Sequence, residues 1–450
     1  MRNIDFIDIF RGFSSNLAIV WKGFICSYEE LIDLITENSL LLKSSKIKIG
    51  SVVSIEGDFS PKSISLLFAL IAHKCIIVPI NRNGNSTIED LYKIAQVQYI
   101  FRINNKEEVK IEMMKKSSNN KYYNSINARG NPGLVLFSSG TSGVPKAAVH
   151  DFSALLKKFK NRKSSLRTLN FLLFDHWGGL NTMFHILSNG GTLISVNDRT
   201  PLGVCELIQT HAIELLPVTP TFLNLLLISR AYEKYNLTSL KIISYGTEPM
   251  PDTTLKKLNE IFPNVRLLQT YGLIELGVMS SKSKNNKSLW VKVGGEGYKT
   301  RIVKDILQIK ADSAMLGYLN APSPFTDDGW FITGDKVLKD GDYIKILGRE
   351  SEIINVGGEK VYPQEIENVI LELRNVADVT VYGEANSITG NIVCAKIQLK
   401  EQEDKKNAVN TIKKYCRGKL QPYKVPVKII IDDALHFGER FKKERNNNKD

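Results

Sequence analysis

Three observations predict an α/β protein with a large N-terminal domain of mainly parallel sheets flanked by helices, followed by a small α+β C-terminal domain. Short apolar runs alternate with helix-like segments, a glycine- and hydroxyl-rich loop directly follows one such run, and the pattern turns to hairpins late in the chain. The apolar runs cover residues 52–55, 76–80, 134–137, 171–174, 192–196 and 241–244 and read as strands. Helix-like periodicity between them covers 64–72, 204–211, 220–229 and 252–261. Residues 104–131 are rich in Lys, Asn and Ser and read as a loose surface connection. After Asp335, Lys339-Asp340-Gly341-Asp342 is a turn leading into a strand over 343–347. Gly348-Arg349 then opens a segment with its own pattern, which divides the chain into domains at 1–348 and 349–450, with fraying from Glu444 onward.

At 450 residues the chain is long enough for two or three domains with substantial cores. Its 60 Lys and Arg against 47 Asp and Glu give a formal net charge of +13, which favours anionic partners. No nucleic-acid recognition motif accompanies that charge. The basic run Lys157, Lys158, Lys160, Arg162 and Lys163 reads first as a solvated helix face, and second as an attractor for phosphates or an acidic protein. Five dispersed cysteines without Cys-x-x-Cys spacing fit a reducing cytoplasm and argue against a disulfide scaffold or a zinc site. The longest apolar stretch, 63–80, is broken by His73-Lys74 and ends in proline, so it reads as a buried helix and strand and not as a membrane span. His-Glu-x-x-His and Gly-x-Ser-x-Gly are both absent from the sequence.

The strongest local signal is the loop Ser138-Ser139-Gly140-Thr141-Ser142-Gly143-Val144-Pro145-Lys146. Its two glycines let backbone N–H groups converge, four hydroxyls add donors, and Lys146 adds charge, a combination suited to a polyphosphate. By composition alone the same stretch would serve as a flexible linker. The apolar run before it and the Pro-Lys after it favour phosphate. Its spacing differs from the P-loop, where lysine directly follows the second glycine.

Four further segments share an order and spacing with one family. They are Tyr271-Gly272-Leu273-Ile274-Glu275, the stretch from Gly329-Trp330 to Thr333-Gly334-Asp335, Gly348-Arg349 with Gly357-Gly358-Glu359, and Phe441-Lys442-Lys443-Glu444-Arg445. With the 138–146 loop they resemble the adenylate-forming superfamily of acyl- and aryl-CoA synthetases, peptide-synthetase adenylation domains and luciferases, nearest the acyl and aryl acid branch. The resemblance implies activation of a carboxylic acid by ATP and Mg²⁺ as an acyl-adenylate, with pyrophosphate released. Transfer to the phosphopantetheine thiol of CoA or of an acidic acyl or peptidyl carrier protein would follow, in the cytoplasm. It implies that the 138–146 loop holds the β- and γ-phosphates, Glu275 binds Mg²⁺ and Tyr271-Gly272 lies against adenine. Gly246, Thr247 and Glu248 would line the nucleotide and acid pocket, and Asp335 would accept hydrogen bonds from the ribose hydroxyls beside Arg349. Lys442 would reach in from a mobile C-terminal domain to neutralise charge between carboxylate and α-phosphate. The acid pocket would include Asp175, His176, Trp177 and Gly178. Reading Asp175 as the partner of an α-ammonium group gives the alternative of an amino-acid-adenylating enzyme. Departures from the family pattern are Ile274 for threonine, Ser351 at the hinge, Phe441 for glycine and Ala147 for glycine. They leave a weakened nucleotide- or acyl-binding regulator as the non-enzymatic alternative.

Overall fold

A computed structural model of the chain describes residues 4–81, 87–114, 118–138, 144–432, 441 and 443. Strands Val52–Glu56 and Ile76–Ile80 are buried at every position, as a strand covered on both faces must be. They form the parallel centre of a seven-stranded sheet ordered Gly317–Tyr318, Lys146–Asp151, Gly133–Ser138, Ile76–Ile80, Val52–Glu56, Tyr99–Ile103, Val109–Met113. Its outer pairs are antiparallel. A second seven-stranded sheet runs Arg266–Gln269, Ile242–Tyr245, Leu215–Val218, Thr168–Asn170, Leu193–Ser195, Leu17–Trp21, Phe24–Ser27, and is parallel except at its last pair.

Three helices open on a hydroxyl residue followed by proline: Ser60 before Pro61–Ala72, Thr200 before Pro201–His211 and Thr219 before Pro220–Ser229. In each the hydroxyl accepts the N–H three residues on, while proline supplies the fixed φ and needs no donor of its own there. Both sheets contribute to one core with the helices Pro61–Ala72 and Trp177–Ser188. At its aromatic centre the Phe184 ring lies 5.5 Å from Phe6 and from Phe68, 5.7 Å from Phe152 and 5.6 Å from Phe159.

Antiparallel structure begins earlier than the hairpin signal after Asp335. A six-stranded sheet ordered Ser280–Ser283, Val291–Gly294, Tyr343–Arg349, Phe331–Asp340, Ile306–Ala311, Tyr298–Val303 starts at Ser280. Beyond Arg349 a separate sheet carries Glu359–Val361, Ile354–Val356, Gly390–Leu399, Val376–Asn386 and Lys428–Ile431, covered by helices Pro363–Ile370 and Lys405–Lys419 over a core of its own.

Two sequence expectations are corrected. The strand read at 171–174 lies upstream, at Thr168–Asn170; Phe171 and Phe174 are buried as turn residues, so burial and not pairing explains the apolar run. The connection over 104–131 contains an edge strand, Val109–Met113, and a helix, Lys121–Ala128. That helix needs few apolar residues because Tyr123 and Ile126 are buried in the core, with Tyr122 packed against it. The expected fraying from Glu444 lies outside the described residues.

Phe184→Ala should lower stability by about 3–5 kcal/mol, the cost of emptying a large aromatic site in a packed core. Chemical denaturation checks this, and a loss below about 1 kcal/mol would mean that the aromatic cluster is not a unit of stability.

Candidate active site

Antiparallel register sets the first part of the site. Strands Phe331–Asp340 and Tyr343–Arg349 pair so that Asp335 stands opposite Arg349, whose Nε lies 3.2 Å from Asp335 Oδ1. The Tyr271 hydroxyl donates to the other carboxylate oxygen at 2.5 Å, and Asp335 N donates to Thr333 Oγ1 at 2.9 Å. Asp335 is 6% exposed. Burial pushes its carboxyl above the ordinary range, against the pull of Arg349 and Tyr271, while nearby Glu275 adds to the push. Tyr271 is buried and its phenol is raised, by burial first and then by the Asp335 charge. Its position follows from the second sheet. Tyr245 and Gln269 pair at the ends of adjacent parallel strands, and Thr270 N donates to Tyr245 O at 2.7 Å. A Cβ on Gly246 would lie 2.4 Å from Thr270 Oγ1, so only glycine lets these strand ends approach.

Glu275 sits in the turn joining the paired strands Gly272–Leu273 and Gly277–Val278. Its Oε1 accepts the Tyr318 hydroxyl at 2.6 Å, and its carbonyl accepts Met315 N–H at 2.8 Å. Lys146 Nζ lies over the Tyr318 ring, 5.7 Å from its centroid, in a cation–π contact. Asn320 ties down the start of that strand, accepting Ala147 N–H at 3.0 Å and donating to Pro145 O at 2.9 Å. Tyr318 thus joins Lys146 to Glu275, and Asn320 holds the backbone on either side of Lys146. Sequence reasoning missed both, because a two-residue strand and one asparagine carry no motif. Ser138 ends strand Gly133–Ser138 beside Lys146. Ser139, Gly140, Thr141, Ser142 and Gly143 lie outside the described residues, as does Lys442.

On the acid side, His176 caps helix Trp177–Ser188, its Nδ1 accepting Gly178 N–H at 3.0 Å. A Cβ on Gly179 would lie 2.4 Å from Leu173 O, so the helix start and the 172–173 turn share space that only glycine leaves. Trp177 is buried against Phe152, with ring centroids 6.3 Å apart. Asp175 is half-buried between the buried residue Phe174 and His176. The helix packs against the hairpin that carries Glu275: a Cβ on Gly277 would meet Trp177 Nε1 at 3.4 Å. Thr247 takes a left-handed φ of 74° at the strand end after Gly246. Glu248 Oε1 accepts Thr221 N–H at 2.7 Å, and its Oε2 accepts Lys443 N–H at 3.3 Å. Burial raises the Glu248 carboxyl, while Thr221 and Lys443 pull it down. Ile274 packs against both the helical core and the antiparallel core, so its side chain fills an apolar seam.

The structure therefore brings Lys146, Tyr271, Glu275, Asp335 and Arg349 into one electrostatic group with Tyr318. Trp177 reaches its border at Gly277, with Asp175, His176 and Gly178 flanking it in sequence, and Gly246, Thr247 and Glu248 follow the strand end that binds Thr270. Residues 10–301 match the family model of AMP-binding enzymes, and residues 365–437 match that of the AMP-binding enzyme C-terminal domain. The chain belongs to the AMP-binding enzyme family. Among the relatives of this AMP-binding enzyme, an indoleacetate–CoA ligase of Aromatoleum aromaticum is 27% identical over 332 residues. That match covers 68% of this chain and 64% of the ligase, so the chain spans less than two thirds of its length. VraA of Staphylococcus epidermidis is 23% identical over 445 residues, 95% of this chain and 93% of that protein. The fold is that of an anthranilate–CoA ligase, AuaEII, solved in complex with anthranoyl-AMP. The TM-score is 0.82 at 18% identity, over 98% of this chain and 96% of that one.

A carboxyl raised by burial binds its proton more readily in the folded than in the unfolded chain. Its contribution to stability is full below the ordinary carboxylate range and falls as pH rises through the raised value. Asp335→Asn removes the buried charge and should melt at or above the wild-type temperature at pH 8. That advantage should shrink as the pH approaches about 4. A variant clearly less stable than wild type at pH 8 would contradict the assignment.

Proposed function

We propose that this AMP-binding enzyme is an ATP- and Mg²⁺-dependent acid–thiol ligase. In this reading residues 1–348 bind ATP and the carboxylic acid, and residues 349–450 form a mobile small domain. The observation that carries it is the linked group Lys146–Tyr318–Glu275 and Tyr271–Asp335–Arg349, beside the His176 segment. Adenylation needs charge neutralised on phosphate oxygens and the ribose held fixed, and this group offers cations and carboxylates for both tasks.

A carboxylate oxygen of the acid attacks the α-phosphorus, the bond to the bridging oxygen breaks, and pyrophosphate leaves. Asp335 accepts the ribose hydroxyls and so fixes the nucleotide, while Arg349 keeps that carboxylate ionised. Lys146 and the loop from Ser138 draw charge from the β- and γ-phosphates, and Lys442 neutralises charge between acid and α-phosphate. Glu275 fits Mg²⁺ because that ion takes one or two carboxylates and completes its shell with phosphate oxygens and water. When bound it would polarise the phosphates. In the second step a thiol sulfur attacks the acyl carbon, AMP leaves and the thiol proton passes to solvent. CoA is the acceptor favoured by the names of the relatives, and a phosphopantetheine carrier protein would use the same chemistry. The five cysteines are free and buried, in keeping with a reducing cytoplasm. No helix among the described residues is long and apolar enough to cross a membrane.

Acid-dependent pyrophosphate release with ATP and Mg²⁺ should appear for at least one member of a panel of fatty, aryl and arylacetic acids. Silence across the panel with ATP binding intact would favour the regulator. Lys442→Ala should lower adenylation by about 10²-fold or more while ATP binding is largely kept, because the charge it neutralises develops in the transition state. An unchanged rate would refute its role.

A further inference from the structure

Phenylalanine stands at position 441, where the resembling family has glycine, and its backbone takes φ 50°. Glycine adopts that left-handed conformation freely, whereas a residue with a Cβ is disfavoured there. The ring explains what holds it. Phe441 packs 5.2 Å from the Phe171 ring and 5.9 Å from the Phe222 ring, both in the second-sheet core of the large unit. Two residues on, Lys443 turns the other way. Its side chain is 10% exposed, and its Nζ lies 3.2 Å from Asp378 and 3.8 Å from Glu367 while donating to Val379 O at 2.7 Å, all in the C-terminal unit. Its backbone N–H reaches Glu248, the carboxylate that also accepts Thr221 N–H on the helix carrying Phe222. From that helix Asn224 donates to Ala377 O at 3.2 Å and to Asp378 at 3.4 Å.

We infer that Phe441 and Lys443 form a two-headed staple across the two units, and that the Phe441 ring sets how long their closed orientation lasts. One head is apolar and seated in the large unit; the other is ionic and buried in the small one. These contacts are with protein groups outside the Lys146–Glu275–Asp335 group. They are positioning residues, and Lys442 is the residue between them in sequence. For the kinetics the inference rests on the acid–thiol ligase reading, with the two steps taken in different orientations of the mobile small domain: holding the present one favours adenylation and delays thioester formation.

The test joins a distance measurement to the two half-reactions in the full-length chain. Spin labels at Leu40→Cys and Ile388→Cys occupy exposed positions on the two units, and all five native cysteines are buried. The parent should give one dominant distance. Phe441→Gly and Lys443→Met should each add a second population, and Phe441→Leu should restore most of the first. In parallel, Phe441→Gly should raise the rate of thioester formation from preformed acyl-adenylate several-fold without raising adenylation. Unchanged distance distributions in both Phe441→Gly and Lys443→Met overturn the staple. Equal changes in both half-reactions overturn the control of orientation by the ring. If no acid releases pyrophosphate in any variant, the ligase reading fails and the distances alone decide the staple.

Discussion

A carboxylate buried on an interior strand of an antiparallel sheet constrains much of this structure. An ionised group in such a place is tolerated only when partners offset the lost hydration. Asp335 has Arg349 from the opposing strand and Tyr271 from the end of the second parallel sheet. Supplying both requires a hairpin whose register puts 335 opposite 349. It also requires a parallel sheet whose strand ends approach closely enough, through Gly246 and Thr270, to aim Tyr271 at the hairpin. Burial raises the carboxyl despite those partners, so the arrangement costs stability at neutral pH, as sites arranged for chemistry commonly do.

The cores meet around that carboxylate. Ile274 and Val278 pack against the helical core, while Tyr271, Leu276 and Met279 belong to the antiparallel core. The short hairpin carrying Glu275 is thus a seam between two hydrophobic cores and not a surface loop. Tyr318 fastens its carboxylate from a third direction, on the edge strand that also pairs with the strand of Lys146. Side chains so fixed from several elements lose little entropy when a ligand arrives, which is how preorganised charge becomes effective.

Much of the parallel framework was legible because fully buried strands read as unbroken apolar runs, while the hydroxyl-proline starts at Ser60-Pro61 and Thr200-Pro201 lie a turn ahead of the helices expected from 64 and 204. The run at 171–174 misled for the same reason: Phe171 and Phe174 are buried by turns, and apolarity reports burial before it reports pairing. Residues 104–131 misled in the opposite sense, since an edge strand and a helix anchored at two positions can be polar almost throughout. Asp335, Arg349 and Glu275 stood out through motifs shared with the resembling family, but their partners did not. Tyr318 meets Glu275 across 43 residues, and Lys443 meets Asp378 and Glu248 across far more. No local pattern encodes such meetings, and a lysine in a basic tail looks solvated until the fold delivers its carboxylates.

Arg349 is the last residue of strand Tyr343–Arg349 and also the cap of the short turn Glu350–Glu352, beyond which the C-terminal unit begins. The side chain that steadies the buried carboxylate therefore stands at the junction of the two units. Strain at that junction reaches the Asp335–Arg349 contact directly along the chain, apart from the side-chain contacts that Asn224 and Lys443 make between the units. By reciprocity, whatever grips Asp335 also bears on that junction, and the two ends of the coupling share one free energy.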